Sequence, residues 1–330
     1  MSAIVPVNYK NVNRLRQAEY IFVNKSLNMT IITFLADFPD EKSCRLHFKA
    51  EREKLGVSCK KCGCTKQYWL ESKFQWQCAD CCFRTTLKSG SIMQFSNLSL
   101  HKWYLCMALM SFSKKGISAL EMQRQLGHKR YETIWKLMHK LRRGMGLRDD
   151  LYKLEGTLEF DEGYFSHATT SKETVKRGRG SQKKQNVAVI AESTPLENIE
   201  TGKQSNHCRY FKMKSLVDHK KQNVENILEK FVREDAFIIS DDSTSYVGFS
   251  SVVEGHSTHK STKEVTKTNL KWVHIAISNA KRNLLGTYHM VKIKYLQNYL
   301  DEFCYKINRR YFGYRLFDRL VLATASGLLV

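Results

Sequence analysis

The chain has 330 residues, 42% of them hydrophobic, enough for two or three domains with at least one substantial core. Fifty-four Lys and Arg against 32 Asp and Glu leave a net charge of +22, which points to a polyanionic partner, nucleic acid before a membrane surface. No apolar run is long enough to span a bilayer, and the first 30 residues lack the basic, apolar and small-residue succession of a signal peptide, so a soluble cytoplasmic protein is expected.

Residues 1–28 carry scattered charge and little periodicity, whereas Met29-Thr-Ile-Ile-Thr-Phe-Leu35 opens an amphipathic helix. Native translation is expected to begin at Met29. The segment 1–55 reads as an N-terminal extension and helical lead-in, closing with a short helix over 41–55 that counts Cys44, Leu46 and Phe48 among its apolar positions.

Residues 56–95 read as a zinc ribbon. Cys59 and Cys62, then Cys78 and Cys81 after a 15-residue gap, form two C-x2-C turns that can present four thiolates to one tetrahedral ion. Between and after them, 66–70, 74–76 and 84–87 suit short strands. Cys64 and Cys82 sit beside the array and are alternatives to Cys62 and Cys81 as Zn2+ ligands. In a reducing compartment ten cysteines favour metal over disulfides, and Cys44, Cys106, Cys208 and Cys304 are left as core thiols.

Residues 96–148 read as a helix-turn-helix domain. Leu100, Trp103, Tyr104, Met107, Ala108 and Met110 recur at helical spacing, and Ser118-Ala-Leu-Glu121 makes a capping box before a second helix that ends at Gly127. A third helix follows over 131–145, with Ile134, Trp135, Leu137, Met138 and Leu141 on its apolar face and Lys136, His139, Lys140, Arg142 and Arg143 exposed. A short helix, a glycine turn and a longer basic helix suit a DNA groove, and Arg142 and Arg143 are candidate DNA contacts. A small helical bundle with a solvated basic face is the other reading.

From 149 to 330 strands come first and helices later, as an α/β domain requires. Strands are expected at 158–165, 187–191, 208–217, 236–240 and 249–254, and helices at 220–233 and 269–285. Between the first two strands, the basic stretch 172–184 is too polar to pack. Arg177, Arg179, Lys183 and Lys184 would lie on phosphates, or else form only a solvated hairpin tip.

Asp161 lies in one apolar strand and Asp241 at the end of another, so neighbouring strands would let the two carboxylates converge on a divalent cation. Phosphodiester chemistry by two metals needs oxygen ligands that hold the ions about 3.5 to 4 Å apart. Glu162 and His274 are candidates for the rest of the site.

The order of these features carries a resemblance. Ribbon cysteines, Ser113-Lys-Lys-Gly-Ile-Ser-Ala119, Glu159-Phe-Asp-Glu-Gly-Tyr164, Ser240-Asp241 with Tyr246, Ala280-Lys-Arg282, Gly286-Thr-Tyr-His289, Tyr299-Leu-Asp-Glu-Phe303 and Asn308-Arg-Arg310 together resemble bacterial insertion-sequence transposases. More narrowly, they resemble members that join an N-terminal zinc ribbon and helix-turn-helix to a DDE-type, ribonuclease-H-like mixed sheet with flanking helices.

That resemblance implies DNA strand cleavage and transfer at terminal inverted repeats, with Mg2+ or Mn2+ as catalytic ion. It also implies double-stranded DNA as partner, nucleoid association, and a homodimer or larger assembly to pair two ends. Asp161 and Asp241 match the first and second catalytic acids. At the third position, where most of the family carries glutamate, this chain has His274, and some branches share that histidine. Lys281 and Arg282, about two turns beyond His274, would contact phosphate. A DNA-binding protein descended from an inactivated transposase is the competing expectation.

Overall fold

The computed structural model describes residues 30–168, 184–197, 204–216, 221–243, 246, 248–260 and 269–326. Met29 and the extension before it, and Arg177, Arg179 and Lys183, lie outside the described residues. Local capping sets the first elements. Helix α1 (Ile31–Asp37) starts at Thr30 and α2 (Glu41–Leu55) at Asp40, whose carboxylate accepts from Ser43 N at 2.7 Å. Strands β1 (Gln67–Leu70), β2 (Gln75–Cys78) and β3 (Arg84–Thr86) form an antiparallel sheet in which Trp69 faces Trp76, ring centroids 5.0 Å apart.

Helices α3 (Leu100–Phe112), α4 (Ala119–Gln125) and α5 (Tyr131–Asp150) follow, with Ser99 and Ser118 capping the first two. Gly127 takes φ +55° in the turn after α4, the left-handed conformation that a helix C-terminus asks of glycine. Helix α5 runs five residues past the expected end at 145, because its last turns find partners across the molecule. Asp149 meets Arg309, and Arg142, expected on a solvated face, is 1% exposed against Glu302.

The C-terminal half is built on five strands: β4 (Thr157–Ser166), β5 (Lys184–Glu197), β6 (Gln204–Ser215), β7 (Phe237–Asp241) and β8 (Gly255–His259). Their order is β6-β5-β4-β7-β8; the first three pair antiparallel, while β4 with β7 and β7 with β8 pair parallel. This is the ribonuclease-H-like mixed sheet. Alternation sends Leu158, Phe160 and Ile190 to one face beneath α6 (Lys221–Phe231). Val187, Val189 and Phe165 go to the other, beneath α7 (Lys271–Asn283) and α8 (Ile293–Asn308).

The strand expected at 249–254 is instead one 3-10 turn, Phe249–Ser251. Phe249 is buried edge-on to Phe160 at 5.1 Å, so its apolarity serves the core beneath the sheet rather than a strand. The actual edge strand, β8, has no aliphatic side chain; it is held by main-chain pairing to β7, with His256 Nε2 2.8 Å from Ser240 Oγ and its ring 4.9 Å from that of Phe249.

Packing does not follow chain order. The last helix, α9 (Leu316–Ala325), lies on α2, α3 and α5, where Phe317 meets Phe34, Phe38 and Tyr104. The helical core is therefore completed by residues that follow the sheet. Among the described residues no helix is long and apolar enough to cross a membrane.

Candidate active site

Asp161 and Asp241 occupy neighbouring parallel strands. The register that pairs Phe160 with Ser240 puts these two aspartates side by side one residue further on, on the face toward α7. Asp161 is largely buried, and its Oδ1 accepts from Glu162 N at 2.7 Å. Burial pushes its carboxyl up to about 6, and the nearby Asp241 charge adds to this against the amide bond. Two desolvated carboxylates on one face repel each other, an arrangement that a cation would relieve.

From α7, His274 brings Nδ1 to 3.7 Å from Asp161 Oδ2. That separation is too long for a hydrogen bond. Burial lowers the imidazole pKa, with Asp241 opposing, so the ring is neutral at pH 7 and keeps a lone pair to offer. By donor chemistry, two carboxylates and a neutral imidazole suit a divalent cation of the Mn2+ kind better than Mg2+, although among the described residues only the ribbon cysteines bring three or more ligand atoms within reach of one ion.

The placement of His274 depends on Glu159, a residue with no assigned role in the sequence reading. Helix α7 opens at Leu270, which has no side-chain oxygen to cap it. Glu159, on the same face of β4 as Asp161, takes over: its Oε2 accepts from Trp272 N at 2.6 Å and Val273 N at 3.1 Å. Burial raises the Glu159 pKa to about 7 even though both amides pull it down. Gly163 completes the seat, because a Cβ there would come within 3.2 Å of Ile277 on the next turn of α7. The signal in the sequence was an acid two positions before Asp161, on the same face of its strand.

Residues 153–308, which hold all of these groups, match the family described as ISXO2-like transposase domain. That stretch is similar to an ISXO2-like transposase domain. No curated protein matches the chain. Among solved structures, a Mos1 mariner paired end complex with Mn aligns at 10% identity and TM-score 0.25, over 65% of this chain and 75% of that one. A Mos1 strand transfer complex aligns at 10% identity and TM-score 0.24 over 98% of each chain. A pre-cleavage Mos1 transpososome aligns at 10% identity and TM-score 0.22 over 96% of this chain and 98% of that one.

Around the acids of the transposase domain stand exposed cations. Lys281 lies near enough to Asp161 and Lys184 to sense both charges; burial and Lys184 lower its pKa. Arg282, one residue on, is held by Asn279 Oδ1 at 2.8 Å. Glu162 turns to the opposite face of the sheet, where Asn186 Nδ2 donates to it at 2.5 Å, and is thus separated from the side of β4 that carries Asp161.

Arg142 corrects the sequence reading. Its Nε donates to Glu302 Oε2 at 2.7 Å and its guanidinium sits 4.2 Å from the Tyr299 ring centroid, so it is sealed between α5 and α8 and cannot reach DNA. The same helical turn leaves Arg143 exposed. His139, also expected on the surface, is 7% exposed among Trp135, Tyr295 and Tyr299.

Upstream of the transposase domain the four ribbon cysteines converge. Cys59 Sγ lies 3.5 Å from Cys81 Sγ, Cys62 Sγ lies 3.5 Å from Cys78 Sγ, and all four sulfurs fall within 4.8 Å of one another. Zn–S bonds of about 2.3 Å place tetrahedral sulfurs about 3.8 Å apart, so the cluster fits zinc. The two knuckles match. Gly63 N donates to Cys59 O at 2.9 Å and Cys82 N to Cys78 O at 3.2 Å, with Gly63 at φ +78° and Cys82 at φ +57°. Cys82 thus fills the turn position that Gly63 fills in the first knuckle, and Cys64 Sγ faces Lys66 O at 3.7 Å. Both stand outside the cluster. Amides of Cys81 and then Asp80 lower the Cys78 thiol to about 6, favouring thiolate.

Proposed function

We propose that the transposase domain cuts DNA at the terminal inverted repeats of an insertion sequence and joins the freed 3′ ends to target DNA. The observation that carries this reading is the adjacency of Asp161 and Asp241 on parallel strands, with His274 3.7 Å from Asp161, inside that domain.

In this reading Asp161, Asp241 and His274 hold Mg2+ or Mn2+, which when bound would polarise the scissile phosphate and lower the pKa of the attacking water or hydroxyl. The protein's own part is positioning. Two strand-borne carboxylates and a helix pinned by Glu159 fix the donors, while Lys281, Arg282 and Lys184 neutralise the phosphates that pass across them. A histidine among the donors favours Mn2+ over Mg2+.

Zn2+ at Cys59, Cys62, Cys78 and Cys81 would fold the ribbon (56–95), which with the helix-turn-helix (96–148) binds the element end. Arg143 on α5 contributes there, and the net charge of +22 supplies salt-dependent affinity. Pairing two ends calls for a homodimer or larger assembly on double-stranded DNA.

Strand cleavage and joining on a labelled duplex carrying the element's own end, in Mg2+ and in Mn2+, tests this. The native protein is expected to cut and join, more readily in Mn2+, and Asp161→Ala to bind the same duplex without cutting. Cutting that survives Asp161→Ala would sink the assignment. Cutting only by His274→Glu would make the native chain a DNA-binding protein that has lost its chemistry.

A further inference from the structure

Phe95 is 93% exposed and stands at φ +62°, a left-handed backbone that costs an aromatic residue strain. The conformation is imposed by two lysines. Lys140 Nζ donates to Gln94 O at 2.7 Å on one side of Phe95, and Lys88 Nζ donates to Ser96 O at 3.0 Å and to Leu98 O on the other. Gln94 is pinned further by Gly90 N, 2.7 Å from its Oε1, and Ser96 Oγ accepts from Trp103 Nε1 at 3.2 Å. A strained turn clamped on both sides thus holds an aromatic ring out into water.

The ring stands at an open cleft of about 750 Å³ between this turn and the first half of α5. Lys102, His128, Lys129, Arg130, Lys136 and Lys140 line the cleft, and none of the lining residues is acidic. At the rim, Glu132 lies 3.9 Å from Lys136 with both side chains well exposed, a pair that water screens. The N-terminal part of the second helix of a helix-turn-helix is the part that faces base edges.

We propose that this cleft is a second DNA-binding element, in which the basic side chains grip phosphates while Phe95 wedges against a base step of the duplex that α5 reads. DNA matches the site on both counts, because it offers a row of phosphates and an apolar stacking face together. The proposal rests on the DNA-strand-transfer reading above and adds to it a shape-reading wedge at the end of the ribbon segment, facing the first half of α5.

Fluorescence anisotropy and end-to-end energy transfer on a dye-labelled duplex carrying the element's own end, as a function of salt, test it with Phe95→Gly, Phe95→Trp and Lys129→Ala. Glycine relieves the strained φ, so Phe95→Gly should melt no lower than the native protein and yet bind about tenfold more weakly, with less bending and an unchanged salt slope. Phe95→Trp should bind like the native protein. Lys129→Ala should lower the salt slope by about one. A Phe95→Gly protein that binds and bends as well as the native one overturns the wedge and leaves the transposase reading intact, whereas a native protein that fails to bind the duplex overturns both. If Phe95→Gly dissociates an assembly while each subunit binds with native affinity, the ring meets protein and the wedge is overturned.

Discussion

Arg142 and Glu302 meet 2.7 Å apart with side chains 1% and 5% exposed, one from α5 and the other from α8. Lys306 Nζ closes the group at 3.1 Å from Glu302 Oε1. Breaking a buried pair strands a charge, so Glu302→Ala should cost about 3–5 kcal/mol. Replacing Arg142, Glu302 and Lys306 together with Met, Leu and Met should restore most of that loss, because no charge is left behind. Urea unfolding of the single and triple variants checks this; a Glu302→Ala protein as stable as the native one would contradict the burial described here.

Acid should loosen the same junction. Burial first, and Arg142 next, lower the His139 pKa to about 4, so the unfolded chain binds more protons between about pH 6.5 and 4 and stability falls as pH drops through that window. Burial raises the Glu302 carboxyl, but Lys306 and Arg142 outweigh it and hold it at about 2, so its contribution is lost between about pH 4.5 and 2. Asp301, raised to about 6 by burial, works the other way and regains stability as pH falls below 6. His139→Gln separates these terms, since glutamine can still accept from Asn298 Nδ2, which lies 2.9 Å from His139 Nδ1. Between pH 7 and 4 the variant should lose up to about 3 kcal/mol less stability than the native protein. Parallel losses in the two proteins would remove His139 from the account.

Removing zinc should unfold the ribbon and leave the five-stranded sheet standing. Trp69 and Trp76 report on it, because both sit in the small sheet that the cysteine knuckles join. A strong chelator, or Cys78→Ser, is expected to shift tryptophan emission, release about one Zn2+ per chain and weaken DNA binding. Cys64→Ser should change none of these. Cys82→Gly should be neutral or slightly stabilising, because that position has φ +57° and lies outside the thiolate cluster. Loss of metal in either of these last two variants would redraw the ligand set.

Placements that follow from spacing or strand pattern were readable in sequence. The cysteine pairs needed only their spacing, and Asp161 and Asp241 needed only the apolar strands that carry them, since a parallel register brings strand ends of this kind together. Roles that depend on distant partners were not. Arg142 read as a surface cation because Glu302, 160 residues away, is invisible to helical periodicity. Strand β8 exists through backbone pairing and so leaves no hydrophobic pattern. Phe317 gives no local sign that it belongs with Phe34 and Tyr104 at the opposite end of the chain.

Glu159 shows the same limit in the site itself, and its test bears on the third donor. Glu159→Leu would leave the amides of Trp272 and Val273 without their acceptor beneath α7, at a cost of about 1–3 kcal/mol per group left unmade. Glu159→Gln keeps an acceptor oxygen but loses the charge that, above about pH 7, faces the positive end of the helix. Because His274 lies one residue past Val273, a loosened first turn would displace the imidazole from Asp161. Half-maximal cleavage should therefore need about tenfold more Mn2+ in Glu159→Gln, and more again in Glu159→Leu, with affinity for the element-end duplex unchanged. A purely structural role predicts lower melting temperatures with the metal requirement unaltered. That pattern would return Glu159 to the core and leave His274 positioned by other contacts.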